Sequence, residues 1–244
     1  MELTPVEKWL DALRERTSAR ILVGRSGGAY QTRDQLALRC DHAAALDAVH
    51  QEVQKELLDR LNLFEVSTQA TSKQEHLLRP DLGRRLSDEA KETLTANCQR
   101  AAEVQVVVGD GLSATAIHAQ VPHLLPMLEK QVKARGLSFG RPFFIRYCRV
   151  GALNDIGEAL DPSVVVLLVG ERPGLATAES LSAYLAYRPR IGDTDAKRNL
   201  ISNIHDQGVG CEEAVERILA LVEMMRRERC SGVEIKETRS IEPG

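Results

Sequence analysis

The segment Val164-Val165-Val166-Leu167-Leu168-Val169 constrains this chain more than any other. It is apolar at every position and does not alternate. A strand of that kind is buried on both faces, so it belongs inside a sheet covered on both sides by helices, most naturally a parallel one. Its surroundings follow the same grammar. Val104 to Val108 reads as a strand, Ser113 to Arg135 as a helix with possible breaks at Pro122 and Pro126, and Phe143 to Tyr147 as a strand. Asn154 to Leu160 reads as a short helix, Thr177 to Leu181 as a possible helical turn, and Ala183 to Tyr187 as one more strand. Glu212 to Arg229 forms an amphipathic last helix through Val215, Ile218, Leu219, Val222 and Met225. Alternating strands and helices predict an α/β, Rossmann-like, doubly wound and mainly parallel sheet.

The first hundred residues read differently. Residues 5 to 17 make an amphipathic helix, with Val6, Trp9, Leu10 and Leu13 on one face and Thr4 and Pro5 at its start. That face is expected to pack on the body, with a detachable docking or targeting helix as the alternative. Ile21-Leu22-Val23 is a brief strand before Gly24-Arg25-Ser26-Gly27-Gly28. A long helix runs from about Thr32 to Leu61. Arg79 to Gly83 is a loop, and a helix covers Ser87 to Ala102. The expected organisation is an N-terminal helix (1–18), a mostly helical region (19–102) and an α/β ligand-binding domain (103–244).

Composition excludes several functions. The chain has 244 residues and a net charge of −3, so no general attraction to nucleic acid or anionic membrane is expected. Its longest apolar run is too short to span a bilayer, and the N-terminus lacks a secretory pattern. An intracellular protein is expected. The five cysteines are widely spaced without a CxxC, which favours reduced thiols over disulfides or zinc.

Ligands of open α/β sheets bind beyond the carboxyl ends of the strands. Three loops should meet at that edge: Gly109 to Ala114, Tyr147 to Gly151, and Gly170 to Gly174. Asp110, Arg149, Glu171 and Arg172 supply polar groups there, and glycines let backbone approach a ligand. Gly109-x-Gly111-x-x-Ala114 fits a short dinucleotide fingerprint. The next strand ends in Arg146-Tyr147-Cys148-Arg149, without the acid that would hold a ribose. Asn203-Ile204-His205-Asp206-Gln207-Gly208 nearly matches the cobalamin motif Asp-x-His-x-x-Gly. Its first position is Asn, and too little chain follows, so His205 reads as a locally bonded loop histidine. Asp41-His42 point to different faces of one helix. No nucleophile elbow or metal-ligand pair is visible. The residues alone describe a ligand-binding α/β module without catalytic machinery.

Several stretches resemble one family. Val106 to Ala114, Arg149-Val150-Gly151, Asn154-Asp155-Ile156-Gly157, Gly170-Glu171-Arg172-Pro173-Gly174-Leu175, Ser180-Leu181-Ser182 and Ile201 to His205 are similar to the small subunit of ethanolamine ammonia-lyase. Asp41-His42-Ala43 and Arg79 to Leu86 also fit, so the resemblance covers nearly everything from 20 to 235. It implies an adenosylcobalamin-dependent lyase converting ethanolamine to acetaldehyde and ammonia by a radical route. The resemblance further implies a TIM-barrel large subunit that holds the substrate and the catalytic residues. The small subunit closes over the cobalamin, with contacts at positions matching Val150, Glu171 and Leu200. Leu200 departs from relatives that carry Cys there. The family also implies a hetero-oligomer, in a bacterial microcompartment or the cytoplasm. A stand-alone Rossmann-like nucleotide- or ligand-binding regulator and a purely scaffolding subunit are the other readings.

Overall fold

The computed structural model describes residues 4–15, 21, 23–174 and 176–235. Helix α1 (Pro5–Glu15) is followed by a small hairpin, β1 (Arg25–Ser26) and β2 (Ala29–Tyr30), turning at Gly27-Gly28. The strand expected at Ile21 to Val23 is absent at its two described residues; Leu22 lies outside them, as do Arg16 and Thr17 of the expected first helix. Val6 and Trp9 are exposed while Leu10 and Leu13 are half-buried, so the apolar face of α1 is covered only in part.

The long helix expected from 32 to 61 is two helices, α2 (Thr32–His50) and α3 (Lys55–Arg60). The link between them is extended because residues of the helix spanning Ala114–Ala134 hold it. His118 accepts the Gln54 amide at 3.3 Å, and Thr115 donates to Gln51 Oε1 at 2.9 Å. Val53 inserts into the core at that point. Strand β3 (Phe64–Ser67), helix α4 (Lys73–Leu78), a 3-10 turn at Leu82–Arg84 and helix α5 (Asp88–Asn97) follow. The region expected to be mostly helical therefore also donates a strand to the main sheet.

The remaining elements are β4 (Val104–Gly109), α6 (Ala114–Ala134), β5 (Phe143–Arg146), α7 (Ala152–Leu160), β6 (Val164–Gly170), β7 (Leu181–Tyr187), β8 (Asn199–Ile204) and α8 (Cys211–Glu228). Helix α6 runs through Pro122 and Pro126, so neither of the possible breaks occurs. Its face of Ile117, Val121, Leu124, Leu125, Leu128 and Val132 is buried in the core. That packing outweighs the lost backbone hydrogen bonds, since most helical stability in proteins is tertiary. The turn of helix expected at 177–181 is absent: β7 begins at Leu181.

The structure is α/β, with a six-stranded mixed sheet in the order β3-β5-β4-β6-β7-β8. The first four strands are parallel; β7 and β8 are antiparallel to their neighbours. The sheet is therefore parallel over only part of its width. β6 is buried at every residue. Alternate side chains enter two cores, as a period of two requires. Val164, Val166 and Leu168 face α6 and α8, while Val165, Leu167 and Val169 join α5 and α7. Each fully buried Val or Leu contributes about 1.5–3 kcal/mol, so this doubly covered strand anchors the sheet.

Candidate functional site

β4, β5 and β6 are parallel, so the loops that follow them lie on one edge of the sheet. Of the four polar groups expected there, Arg149, Glu171 and Arg172 line an open cavity, while Asp110 ties the loops together and Arg149 does both. Asp110 is buried, and its carboxylate accepts the amides of Tyr147 at 2.9 Å and Cys148 at 2.7 Å. Burial raises its pKa, with Lys73 pulling in the opposite direction. Tyr147 has φ of 59°, a left-handed conformation that is unfavourable for a residue with a Cβ. Its amide is held by Asp110, and its carbonyl accepts Thr68 Oγ1 at 3.0 Å. Arg149 donates to the His76 carbonyl at 3.1 Å, and His76 Nε2 lies 3.0 Å from the Gly111 carbonyl. His76 is fully buried and its pKa falls to about 4, from burial first and then from the Arg149 guanidinium.

Two glycines serve the same closure. A Cβ on Gly111 would sit 2.3 Å from the Gly170 carbonyl, and one on Gly170 would sit 2.1 Å from the Ser113 carbonyl. Leu112 donates to the Gly170 carbonyl at 3.0 Å. These glycines let two loops approach each other, and both also line the cavity beside them. The dinucleotide reading fails for a related reason: Ser113 Oγ accepts the Ala116 amide at 3.1 Å and donates to Ala178 O at 2.6 Å, filling the mouth of α6.

Beside this closed knot lies an open cavity of about 430 Å³. Its lining brings together Val150, Glu171 and Leu200, three positions far apart in sequence. The sheet's pleat explains the grouping. Val169 pairs with Ser182 and Tyr184 with Leu200, so these side chains share one face of the β6-β7-β8 corner. α8 packs on β7 and β8, so Ile201 and Ile204 are buried in its core. Leu200 and Ser202, alternating with them, are exposed. The opposite face of this corner carries the cavity. Leu200 is 45% exposed at its rim, a surface that a partner can bury. Val150 stands in the loop after β5, just before α7.

Glu171 is half-buried, and its carboxylate is held on three sides. Oε1 accepts Ser182 Oγ at 2.6 Å and the Asn203 amide at 2.8 Å; Oε2 accepts Ser180 Oγ at 2.7 Å. A carboxylate has about four acceptor positions, so one on Oε2 remains. Neither serine stood out in the sequence beyond the family resemblance. Strand β8 was missed outright, because Asn199–Ile204 is short and half exposed.

His205 is a locally bonded histidine, as expected. Nε2 lies 2.8 Å from Asn203 Oδ1, and Nδ1 accepts the Gln207 amide at 3.3 Å. Both ring nitrogens are thus engaged within one turn. Asp41 and His42 lie on α2, which is outside this site. The five cysteines are free thiols. Among the described residues, no helix is long and apolar enough to cross a membrane.

Comparison with known proteins adds a family. The pattern of the family described as Ethanolamine ammonia-lyase light chain (EutC) matches residues 7–236. The ethanolamine ammonia-lyase small subunit of Clostridium perfringens is 46% identical over 224 residues, covering 92% of this chain and 76% of that protein. That of Clostridium acetobutylicum is 41% identical over 230 residues, covering 94% and 95%. The small subunit of Clostridioides difficile is 43% identical over 230 residues, covering 94% and 78%.

Proposed function

This chain belongs to the ethanolamine ammonia-lyase light-chain family, and from that membership we propose that it clamps adenosylcobalamin against a catalytic large subunit. The supporting observation is the meeting of Val150, Glu171 and Leu200 on one open cavity. The proposal treats β4-α6-β5-α7-β6 as a Rossmann-like half whose carboxyl edge faces the cofactor. It takes the large subunit to be the TIM barrel that carries substrate and catalytic groups.

The residues fit such a ligand. The corrin ring is fringed with neutral amides, and Glu171 Oε2 keeps one acceptor position for an amide N–H. Leu112, Val150, Val169, Tyr184 and Leu200 supply the apolar part of the lining. Small-molecule pockets span roughly 300–1,000 Å³ and enclose most of a drug-sized ligand. At about 430 Å³ and open to one side, this cavity can cover only a border of a macrocycle. A second subunit must then complete the enclosure. When bound, adenosylcobalamin supplies the radical by homolysis of its cobalt–carbon bond. This chain's residues bind and orient the ring and exclude water from it.

The test is reconstitution. The isolated chain should release no ammonia from ethanolamine with adenosylcobalamin present, and activity should appear when the large subunit is added. Ammonia release by this chain alone contradicts the proposal.

A further inference from the structure

The two hydroxyls on Glu171 come from one strand end, two residues apart. Ser180 and Ser182 lie on the same face of the chain, as the period of two requires, and each bonds a different carboxylate oxygen. The β6-β7 ladder does not need them. Its register is carried by backbone pairs from Val164↔Tyr187 to Gly170↔Leu181, and Glu171 N then donates to the Ser180 carbonyl at 3.0 Å. Both hydroxyls are therefore committed to the carboxylate. Ser180 is 7% exposed and Ser182 4%, so water does not compete freely for them.

We propose that Ser180 and Ser182 are positioning residues that lock the Glu171 carboxylate in its ligand-accepting orientation. This rests on the reading of the cavity as the cobalamin border. A glutamate has three side-chain torsions, and leaving them free would cost binding entropy when a ligand orders them. Here the ordering is built in before the ligand arrives. Ser182 and the Asn203 amide saturate much of Oε1. Ser180 takes one position on Oε2, so the remaining acceptor position on Oε2 is held in place. Site residues held by such a supporting shell bind more tightly than loosely held ones.

The experiment is equilibrium binding of cyanocobalamin to the complex of this chain with its large subunit, read by absorbance of the retained cofactor. Wild type is compared with S182A, S180A, E171A and the double variant E171A/S182A, each after gel filtration of the assembled complex. S182A should weaken binding about three- to tenfold, and S180A, acting on the other oxygen, by a similar factor. E171A should weaken it roughly ten- to a hundredfold. The double variant should bind within about twofold of E171A, because a serine that acts through Glu171 has nothing left to hold. Wild-type affinity in both S182A and S180A, with E171A weak, overturns the positioning role. A double variant weaker than E171A by the full S182A factor also overturns it, since Ser182 would then act on its own. Unchanged affinity in E171A overturns the underlying reading of the cavity instead.

Discussion

Asp110 and Glu171 look alike in the sequence: each is the acid that follows a glycine at the end of an apolar parallel strand. The fold uses them differently. Asp110 is buried, with one loop amide on each oxygen, from Tyr147 and Cys148, in a knot that also contains Thr68, His76 and Arg149. Glu171 is half-buried, held on three sides, and lines a cavity with an acceptor position to spare. The cause is what lies next to each strand. Beyond β4 the neighbour is a parallel strand whose loop turns back with free amides. Beyond β6 it is an antiparallel hairpin whose face is left uncovered. A carboxylate at a strand end serves the fold when it is buried with a loop amide on each oxygen, and is available to a ligand when it stands at a cavity with an acceptor position to spare.

The largest expected effect is on the knot. Asp110→Ala leaves two buried amides without acceptors and removes the restraint on the left-handed backbone at Tyr147. Stability should fall by about 3 kcal/mol, and the melting temperature by roughly 6–12 °C for a chain of this size. Calorimetry or thermal circular dichroism measures it. A melting temperature within a degree or two of wild type would erase the distinction between the two acids.

Next comes the pH response of the same region. His76 is neutral in the folded state with a pKa of about 4, against an ordinary value of 6.5 when unfolded. Its contribution is therefore present in full above pH 6.5 and is lost as pH falls toward 4. The total is up to about 3 kcal/mol. Denaturant titrations at pH 7.5, 6, 5 and 4 should show the slope, and His76→Gln should flatten it. A slope unchanged in the variant would place the acid sensitivity elsewhere.

Glu171 should respond in binding and hardly in stability. Glu171→Ala should weaken cobalamin binding by the loss of one charge-assisted hydrogen bond, about 1.5–3 kcal/mol. Saturated turnover should fall less than affinity. From sequence alone an amide in this place would be milder, because it still has an oxygen. The geometry says otherwise: the Asn203 amide and Ser182 draw that oxygen to the Oε1 position, leaving NH₂ where the ligand needs an acceptor. Glu171→Gln should therefore lose as much affinity as Glu171→Ala. An amide variant that binds like wild type would show that the spare position on Oε2 is not the contact.

The smallest effect belongs to the N-terminus. α1 contributes no residue to the cavity, so a chain starting near Ser18 should bind cobalamin in the complex with wild-type affinity. Weaker binding would mean that this helix reaches the site in the assembled enzyme.

Much of the architecture was legible because burial on two faces leaves an unmistakable pattern. β6 was readable as an uninterrupted apolar run, β4 as a valine-rich run broken only at Gln105, and α8 as a one-sided stripe. The break between α2 and α3 was not, because it depends on His118 and Thr115 reaching across from α6. Nor was the antiparallel direction of β7, since strand direction depends on the connection rather than on the strand's own residues. β8 is half exposed and short, so its alternation covers too few residues to stand out. At the site, the family resemblance pointed to Val150, Glu171 and Leu200, while the residues alone identified the strand-end edge. Neither separated Asp110 from Glu171, because that difference lies in which backbone amides come within 3 Å of each carboxylate.

The central claim is that cobalamin is held between two subunits, with this chain supplying one border. It is tested most directly by equilibrium binding of cobalamin to this chain alone, to the large subunit alone and to the two together. Tight binding should appear only in the complex, and it should weaken with Glu171→Ala in this chain. Equally tight binding by the large subunit alone, with no gain on adding this chain, would contradict the account.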